Sequence, residues 1–298
     1  METLGPNRVF TVNNIAKQLL LVLRVIYMTR TITIGLVQLE AVNNKYENIE
    51  KVKKLMKSSR NIEADIIVLP EYLMTPIEGL EPHDLYEIAE DINDAFINKL
   101  AAIAKEYSTN IIATFFEKTN KPPRVYNTVV LIRSNGEAEI VYRKTHLFDA
   151  YGYKESNYMM PGPKPSKVID VNKVRIAFSV CFDIRFPELY RVYSLNGAEI
   201  IVSPSAWYKG PLKEETLRFL AQARAHENTV YMVIANQTGK YFTGRSMIID
   251  PLGTVLIDLG INETYKEYTI DVDYIHEVRR KLPVLKLRRP ELYKTTMT

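Results

Sequence analysis

From Thr31 to Lys281 the chain alternates short β-branched, apolar runs with charged segments whose apolar positions recur every three or four residues, the rhythm of strands layered with helices. Ile32–Leu39, Ile66–Leu69, Asn110–Phe116, Val125–Ile132, Ala138–Tyr142, Val174–Val180, Glu199–Ser203, Val230–Ala235, Ser246–Ile249, Thr254–Leu259 and Glu267–Ile270 read as strands. Tyr46–Ser59, Asp84–Tyr107, Phe186–Leu195, Lys213–Glu227 and Tyr274–Lys281 read as helices. The second of these rests on Leu85, Ile88, Ala89, Ile92, Phe96, Leu100 and Ile103 at helical spacing. Ile66-Ile67-Val68-Leu69 has no polar alternation, so this strand is expected to be buried on both faces, with Pro70 ending it. Ser134-Asn135-Gly136 predicts a hairpin turn and Asn196-Gly197 a helix stop. From His146 to Pro165 no period can be found, which predicts a long loop of the kind that often carries function. The pattern is α/β, and no linker-like stretch divides it, so one domain is expected.

Composition narrows the function classes. The chain has 298 residues, 46% hydrophobic and 25% charged, the balance of a soluble globular protein. Its net charge is +4, with both signs interleaved and no basic tract, so neither nucleic acid nor a membrane surface is read as a partner. One cysteine excludes an intrachain disulfide and suits a reducing, cytoplasmic setting. Four histidines and that cysteine, never grouped at short spacing, make no zinc constellation; no metal site and no cofactor are expected. Few glycines and abundant Lys, Glu, Ile and Tyr point to a warm-growing source. Residues 1–30 read as an N-terminal extension: the apolar stretch Ile15–Tyr27 is too short and too charged to span a bilayer. Translation beginning at Met28 and an amphipathic docking helix both remain open for it.

Three residues at strand ends carry chemistry. Ile176-Ala177-Phe178-Ser179-Val180 runs into Cys181 and then a helix, the layout of a nucleophile elbow, where helix-start amides favour thiolate and oxyanion alike. The alternative is a small apolar Cys closing a core strand. Glu71 follows the buried strand directly, and partial desolvation there raises a carboxylate toward a useful base; as an ordinary loop glutamate it would do nothing. Lys144 closes Val141-Tyr142-Arg143 and, taken alone, reads as a solvated lysine. His146 is a rival partner for the thiol. Together the first three place a thiol, a carboxylate and an ammonium at carboxyl ends of strands, where α/β sheets tend to build their sites.

These segments resemble the nitrilase superfamily, the carbon–nitrogen hydrolases, over about Thr31 to Val272. Pro70-Glu71 resembles the family's general-base motif, Tyr142-Arg143-Lys144-Thr145-His146-Leu147-Phe148 its lysine motif, and Cys181-Phe182-Asp183-Ile184-Arg185-Phe186-Pro187-Glu188 its cysteine motif. Ala223-Arg224-Ala225-His226-Glu227-Asn228 resembles a helical segment found after the cysteine in many members. The resemblance implies a four-layer α-β-β-α sandwich over residues 31–282 that forms dimers or higher even-numbered homo-oligomers, with the tail 283–298 reaching a neighbour. It implies Cys181 as nucleophile, Glu71 as base and Lys144 as oxyanion stabiliser, with the backbone N–H of Phe182 as a second oxyanion donor. Tyr153-Lys154-Glu155-Ser156 resembles the setting of an assisting glutamate, although the loop from Lys144 to Glu155 is shorter than in some relatives. Glu117 is a rival for that role, expected on the surface.

Asp183, Arg185 and Glu188 are expected to brace the turn through an ion pair, and Trp207 either lines the substrate pocket or lies under a loop. Cys181 is followed by Phe182 and Asp183, whereas true nitrilases tend to carry tryptophan and glutamate there. That resembles amidases acting on ω-amides and deaminated glutathione, and predicts hydrolysis of a small, carboxylate-bearing amide to ammonia and an acid. A nitrilase and a catalytically silent interaction module are the alternatives.

Overall fold

The computed structural model describes residues 29–59 and 61–293. The expectations for residues 1–28, including the choice between a start at Met28 and a docking helix, lie outside the described residues, as does the end of the tail beyond Tyr293. Among the described residues twelve strands form two six-stranded sheets. The first contains β1 (Thr31–Gln38), β2 (Ile66–Val68), β3 (Asn110–Glu117), β4 (Tyr126–Ile132), β5 (Ala138–Arg143) and β12 (Thr264–Asp271), in the order β12-β1-β2-β3-β4-β5. The second contains β6 (Ile169–Val171), β7 (Val174–Phe178), β8 (Ile200–Ser205), β9 (Tyr231–Asn236), β10 (Met247–Ile249) and β11 (Val255–Asp258), in the order β11-β10-β9-β8-β7-β6. Each sheet has three parallel strands at its centre, β1-β2-β3 and β7-β8-β9, flanked by antiparallel ones.

The sandwich follows from the period of two in doubly buried strands. In β2, Ile66 and Val68 face the space between the sheets, packing in one cluster with Phe178 and Val202. Ile67 and the following Leu69 face the other way, into a cluster with Ile49 and Val52 of α1 (Lys45–Met56) and Leu100 and Ile103 of α3 (Ala95–Tyr107). Burying each of these side chains contributes about 1.5–3 kcal/mol. On the far side, Leu189 and Tyr193 of α4 (Pro187–Leu195) and Leu217 and Ala221 of α5 (Lys213–Asn228) cover the second sheet. The layers run α-β-β-α, as the resemblance implied, and α6 (Tyr274–Lys281) follows the last strand.

Two elements differ from expectation. The helix expected over Asp84–Tyr107 is two, α2 (Pro82–Ile88) and α3. Between them Ala89 turns extended, and Glu90 exchanges backbone hydrogen bonds with Phe116 and Lys118 at the end of β3. The apolar period continues across the break because both helices cover the same core. Asp91-Ile92-Asn93-Asp94 held the signal for the stop, since Asp and Asn favour caps over helix interiors. The strand β6, absent from the reading above, forms a hairpin with β7 in which Asn172 and Lys173 both have positive φ (52° and 65°). Both central residues of such a tight turn take that conformation, and Asn-Lys signals it more weakly than Asn-Gly. Among the described residues no helix is long and apolar enough to cross a membrane.

Candidate active site

The carboxyl ends of β2, β5, β7 and β8 converge. β5 joins this set because two antiparallel steps, β3 to β4 and β4 to β5, restore the direction of the parallel strands. Glu71, Lys144 and Cys181 thereby meet at the floor of a pocket of about 340 Å³, open mouth included, walled by Tyr72, Phe148, Phe182, Arg185, Ala206, Trp207, Tyr208 and Lys213.

Glu71 is 1% exposed. Its Oε1 accepts hydrogen bonds from Lys144 Nζ (3.0 Å) and Asn127 Nδ2 (2.7 Å), and its Oε2 from the Ala206 N–H (2.8 Å). Gln237 Nε2 donates to the Glu71 and Tyr72 carbonyls and so pins the loop. Lys144, also 1% exposed, donates in addition to Glu155 Oε1 at 2.9 Å. Glu155 is buried in a short 3₁₀ turn (Glu155–Asn157), where Oε1 accepts from Tyr72 Oη (2.8 Å) and Oε2 from the Phe148 N–H (2.5 Å). The lysine therefore lies between two carboxylates. Those bonds use two of its three donors, leaving one for a substrate oxygen.

Cys181 opens the 3₁₀ turn Cys181–Arg185 with φ at +44°, a left-handed conformation that costs a non-glycine residue about 1–3 kcal/mol and is typical of functional turns. Asp183, fully buried, holds that turn. Its Oδ2 accepts from the Val180 N–H (2.9 Å) and Tyr142 Oη (2.8 Å), and its Oδ1 from the His146 N–H (3.1 Å), so one carboxylate ties the cysteine turn to the lysine segment. The brace is thus a hydrogen-bonded aspartate; the expected ion pair within Asp183, Arg185 and Glu188 is replaced by these bonds. His146 Nδ1 lies 2.7 Å from Asp183 Oδ1 and its ring stacks on Phe186 at 3.7 Å, so it serves the brace and does not partner the thiol. Glu117 is buried, not on the surface as expected: Arg143 grips both its oxygens (2.6 and 2.5 Å) and Thr128 donates to Oε2, apart from Lys144.

Electrostatics set the resting protonation. Burial pushes the Glu71 carboxyl up, with Lys144 pulling it back. Burial pulls the Lys144 ammonium down, but Glu155 and Glu71 outweigh it and the net shift is upward, so it stays charged. Burial, then the Glu71 charge, push the Cys181 thiol well above its ordinary range against the pull of Lys144. Burial and the Glu71 charge thus favour the protonated thiol, against the pull of helix-start amides toward thiolate.

Phe182 and Trp207 both line the pocket. The Phe182 ring packs edge-on against Phe148 (5.1 Å between centroids), and Trp207 is fixed by its N–H on Asn236 Oδ1 and its indole N–H on the Lys213 carbonyl. Sequence reasoning missed Tyr72, Asn127, Tyr208 and Lys213 and gave Arg185 only a structural part. Arg185 stacks its guanidinium over Trp207 (4.8 Å) and Lys213 holds its ammonium 3.7 Å from the Tyr151 ring centroid. Tyr72 was legible as the neighbour of Glu71; the others come from separate segments with no local signature. Among the described residues no group of three or more His, Cys, Asp or Glu is placed to hold a metal ion.

A buried carboxylate and a thiol lining one pocket, beside an ammonium with a spare donor, are the equipment of a hydrolase that works through a cysteine. The chain belongs to the carbon–nitrogen hydrolase family, whose model matches residues 33–280. It is 34% identical over 285 residues to a deaminated glutathione amidase of Dictyostelium discoideum, covering 90% of this chain and 98% of that protein. It is 32% identical to the deaminated glutathione amidase of Escherichia coli O157:H7, covering 84% and 94%, and 30% identical to the omega-amidase NIT2 of Mus musculus, covering 88% and 97%. The crystal structure of a carbon-nitrogen hydrolase from Helicobacter pylori G27 superposes with a TM-score of 0.80 over 89% of this chain and 97% of that one, at 24% identity. The protein is an enzyme of this family and hydrolyses carbon–nitrogen bonds.

Proposed function

We propose that Cys181, Glu71, Lys144 and Glu155 hydrolyse the amide of a small substrate that carries a carboxylate, in the manner of an ω-amidase. Glu71 takes the thiol proton as sulfur attacks the amide carbon. The oxygen that becomes negative is met by the third donor of Lys144 and by the backbone N–H of Phe182, and losing one such donor costs about 2.7–4 kcal/mol of transition-state stabilisation. Glu71 then returns the proton to the departing nitrogen, ammonia leaves, and a thioester remains. A water deprotonated by Glu71 attacks the thioester; the acid departs and the thiol regains its proton. Glu155 holds Lys144 and the Phe148 segment in place.

The observation that carries the substrate class is the pocket wall. Arg185 and Lys213 bring two cations to a pocket otherwise walled largely by aromatic rings, and Arg185 Nε is buried with no hydrogen-bond partner among the described residues. A carboxylate suits it, because a planar guanidinium matches carboxylate geometry. The small volume suits a short ω-amide and not a polypeptide. Ammonia assayed over a panel of ω-amides, uncharged amides and nitriles tests this reading. Turnover led by carboxylate-bearing amides supports it, and turnover of nitriles alone sinks it.

The exposed Val192 and Leu195 of α4 and Phe219 of α5, with Leu287 and Leu292 in the tail, support pairing of two copies through these helices. Light scattering on the eluted protein gives its mass directly. A free nucleophilic thiol suits a cytoplasmic location.

A further inference from the structure

The two oxygens of Glu71 are not equivalent. A carboxylate oxygen offers two lone pairs to hydrogen-bond donors. On Oε1 both are taken, by Lys144 Nζ at 3.0 Å and Asn127 Nδ2 at 2.7 Å. On Oε2 the Ala206 N–H takes one at 2.8 Å, which leaves the other to receive a proton. Ala206 lines the same pocket as Cys181, so the unfilled oxygen is held from the side on which the thiol stands. Asn127, buried near the start of β4, fixes this arrangement twice over. Its backbone carbonyl accepts the Lys144 N–H at 2.9 Å, while its side chain donates to the same Glu71 oxygen that Lys144 Nζ reaches. A closed circuit therefore runs from the Asn127 carbonyl to the Lys144 backbone, along the lysine side chain to Oε1 and back through Nδ2. Strand pairing thereby sets the separation of carboxylate and ammonium. The amide is used on one side only, for Asn127 Oδ1 is buried without a partner among the described residues. A buried acceptor left idle costs stability, which an apolar side chain of the same shape would avoid. Donation to Glu71 is what the asparagine supplies and leucine would not.

We propose that Asn127 is a positioning residue of the reaction: by filling Oε1 beside Lys144 it directs the thiol proton to Oε2, the oxygen of Glu71 that acts as the base. This rests on the reading of Glu71 as the group that deprotonates Cys181. As sulfur attacks, the S–H bond breaks and its electron pair stays on sulfur to form the bond to the amide carbon. The proton forms an O–H bond at Oε2 and passes from there to the departing nitrogen. Without Nδ2, Oε1 regains a lone pair on the Lys144 side and competes for that proton. The carboxylate also loses a hydrogen bond that favours its charged form, so Glu71 should ionise at higher pH. Around Glu71 the charged and titratable groups are Lys144, Glu155, Cys181 and the phenols of Tyr72 and Tyr208. Replacing Asn127 alters none of them and removes no charge, so a displaced titration reports the lost donor.

Two pH profiles test this on the wild type and on Asn127→Leu. One is the rate of Cys181 alkylation by iodoacetamide, which needs the thiol proton removed but no amide substrate. The other is kcat/KM for ammonia release from an ω-amide. The expected result is an acid limb displaced upward by about one to two pH units in the variant, the size of one lost hydrogen bond to a charged group. The loss should then be about tenfold to a hundredfold on the acid side and should close as the pH rises. Asn127→Val, whose β-branched side chain suits a strand, is expected to behave alike and serves if the leucine variant does not fold. An acid limb that stays in place, or a loss of the same factor at every pH, overturns the assignment, because a base that is merely displaced reacts more slowly without titrating elsewhere. A wild-type alkylation profile with no acid limb would remove Glu71 as the base and this proposal with it. Ammonia from none of the amides would remove the amidase reading alone, with the alkylation profiles still deciding the part played by Asn127.

Discussion

The floor and the walls of the pocket are built in opposite ways. On the floor, Glu71, Lys144 and Glu155 are buried, and both carboxylates have each oxygen hydrogen-bonded. On the walls, Arg185 Nε and the Tyr208 hydroxyl are buried without hydrogen-bond partners among the described residues, and Tyr151 and Tyr153 stand exposed beside them. A saturated polar network holds its members in one geometry and one charge state, which a proton relay needs. Unsaturated groups keep their hydrogen-bonding capacity for a ligand, at a cost in stability until it arrives. In the proposed mechanism the floor carries the chemistry and the walls choose the substrate.

Substitutions that strike each region should separate along that line. The largest effect expected is on the floor: Glu71→Gln removes the base for both half-reactions and should lower kcat by about 10²–10⁴-fold, read by steady-state ammonia release. A loss confined to KM would contradict the assignment. The same residue fixes the acid limb of the pH profile. The base works as the carboxylate, and burial makes Glu71 hold its proton to higher pH than an exposed glutamate, so kcat/KM should fall on acidification with an apparent pKa above the ordinary value of about 4.3. A limb at or below that value would mean the titrating group is solvated. On the wall, Arg185→Met should raise KM for a carboxylate-bearing amide by about tenfold to a hundredfold with a smaller change in kcat, and should leave uncharged amides nearly unaffected. The smallest effect belongs to the brace beneath both regions. Asp183→Asn keeps the shape and weakens the bonds to Val180, Tyr142 and His146, and should lower the melting temperature by a few degrees for a loss of about 1–3 kcal/mol, measured by calorimetry.

The same division explains what the sequence revealed. Glu71, Lys144 and Cys181 each follow a strand closely inside a contiguous motif and could be read one segment at a time, whereas Glu155, in a short turn of the long loop, was reached by resemblance. Asn127 could be read neither way. It is one of two adjacent polar residues in β4, 56 positions from the carboxylate it bonds, and only the approach of β4 to the end of β2 gives it meaning. Glu117 was misplaced for a related reason: its partner Arg143 arrives through the pairing of β4 with β5, which sets Thr128 opposite Arg143 while Tyr126 faces Glu117. The walls are assembled from the 146–153 loop, the cysteine turn, the end of β8 and the start of α5, and no period links them. In the fold, strand and helix identities followed from periodicity, while the break before α3 and the Asn172-Lys173 turn depended on single residues. A helix-start argument alone omits what pushes the thiol upward, burial first and the Glu71 charge second, and only the assembled site supplies both.

The central claim is that Cys181 becomes an acyl-enzyme, and rapid-quench intact-mass spectrometry during turnover of an ω-amide tests it most directly. The account predicts a transient mass increase equal to the substrate less ammonia, located by peptide mapping on Cys181 and absent, together with ammonia release, in Cys181→Ala. Full ammonia release with no adduct at any time, or turnover persisting in Cys181→Ala, would contradict it.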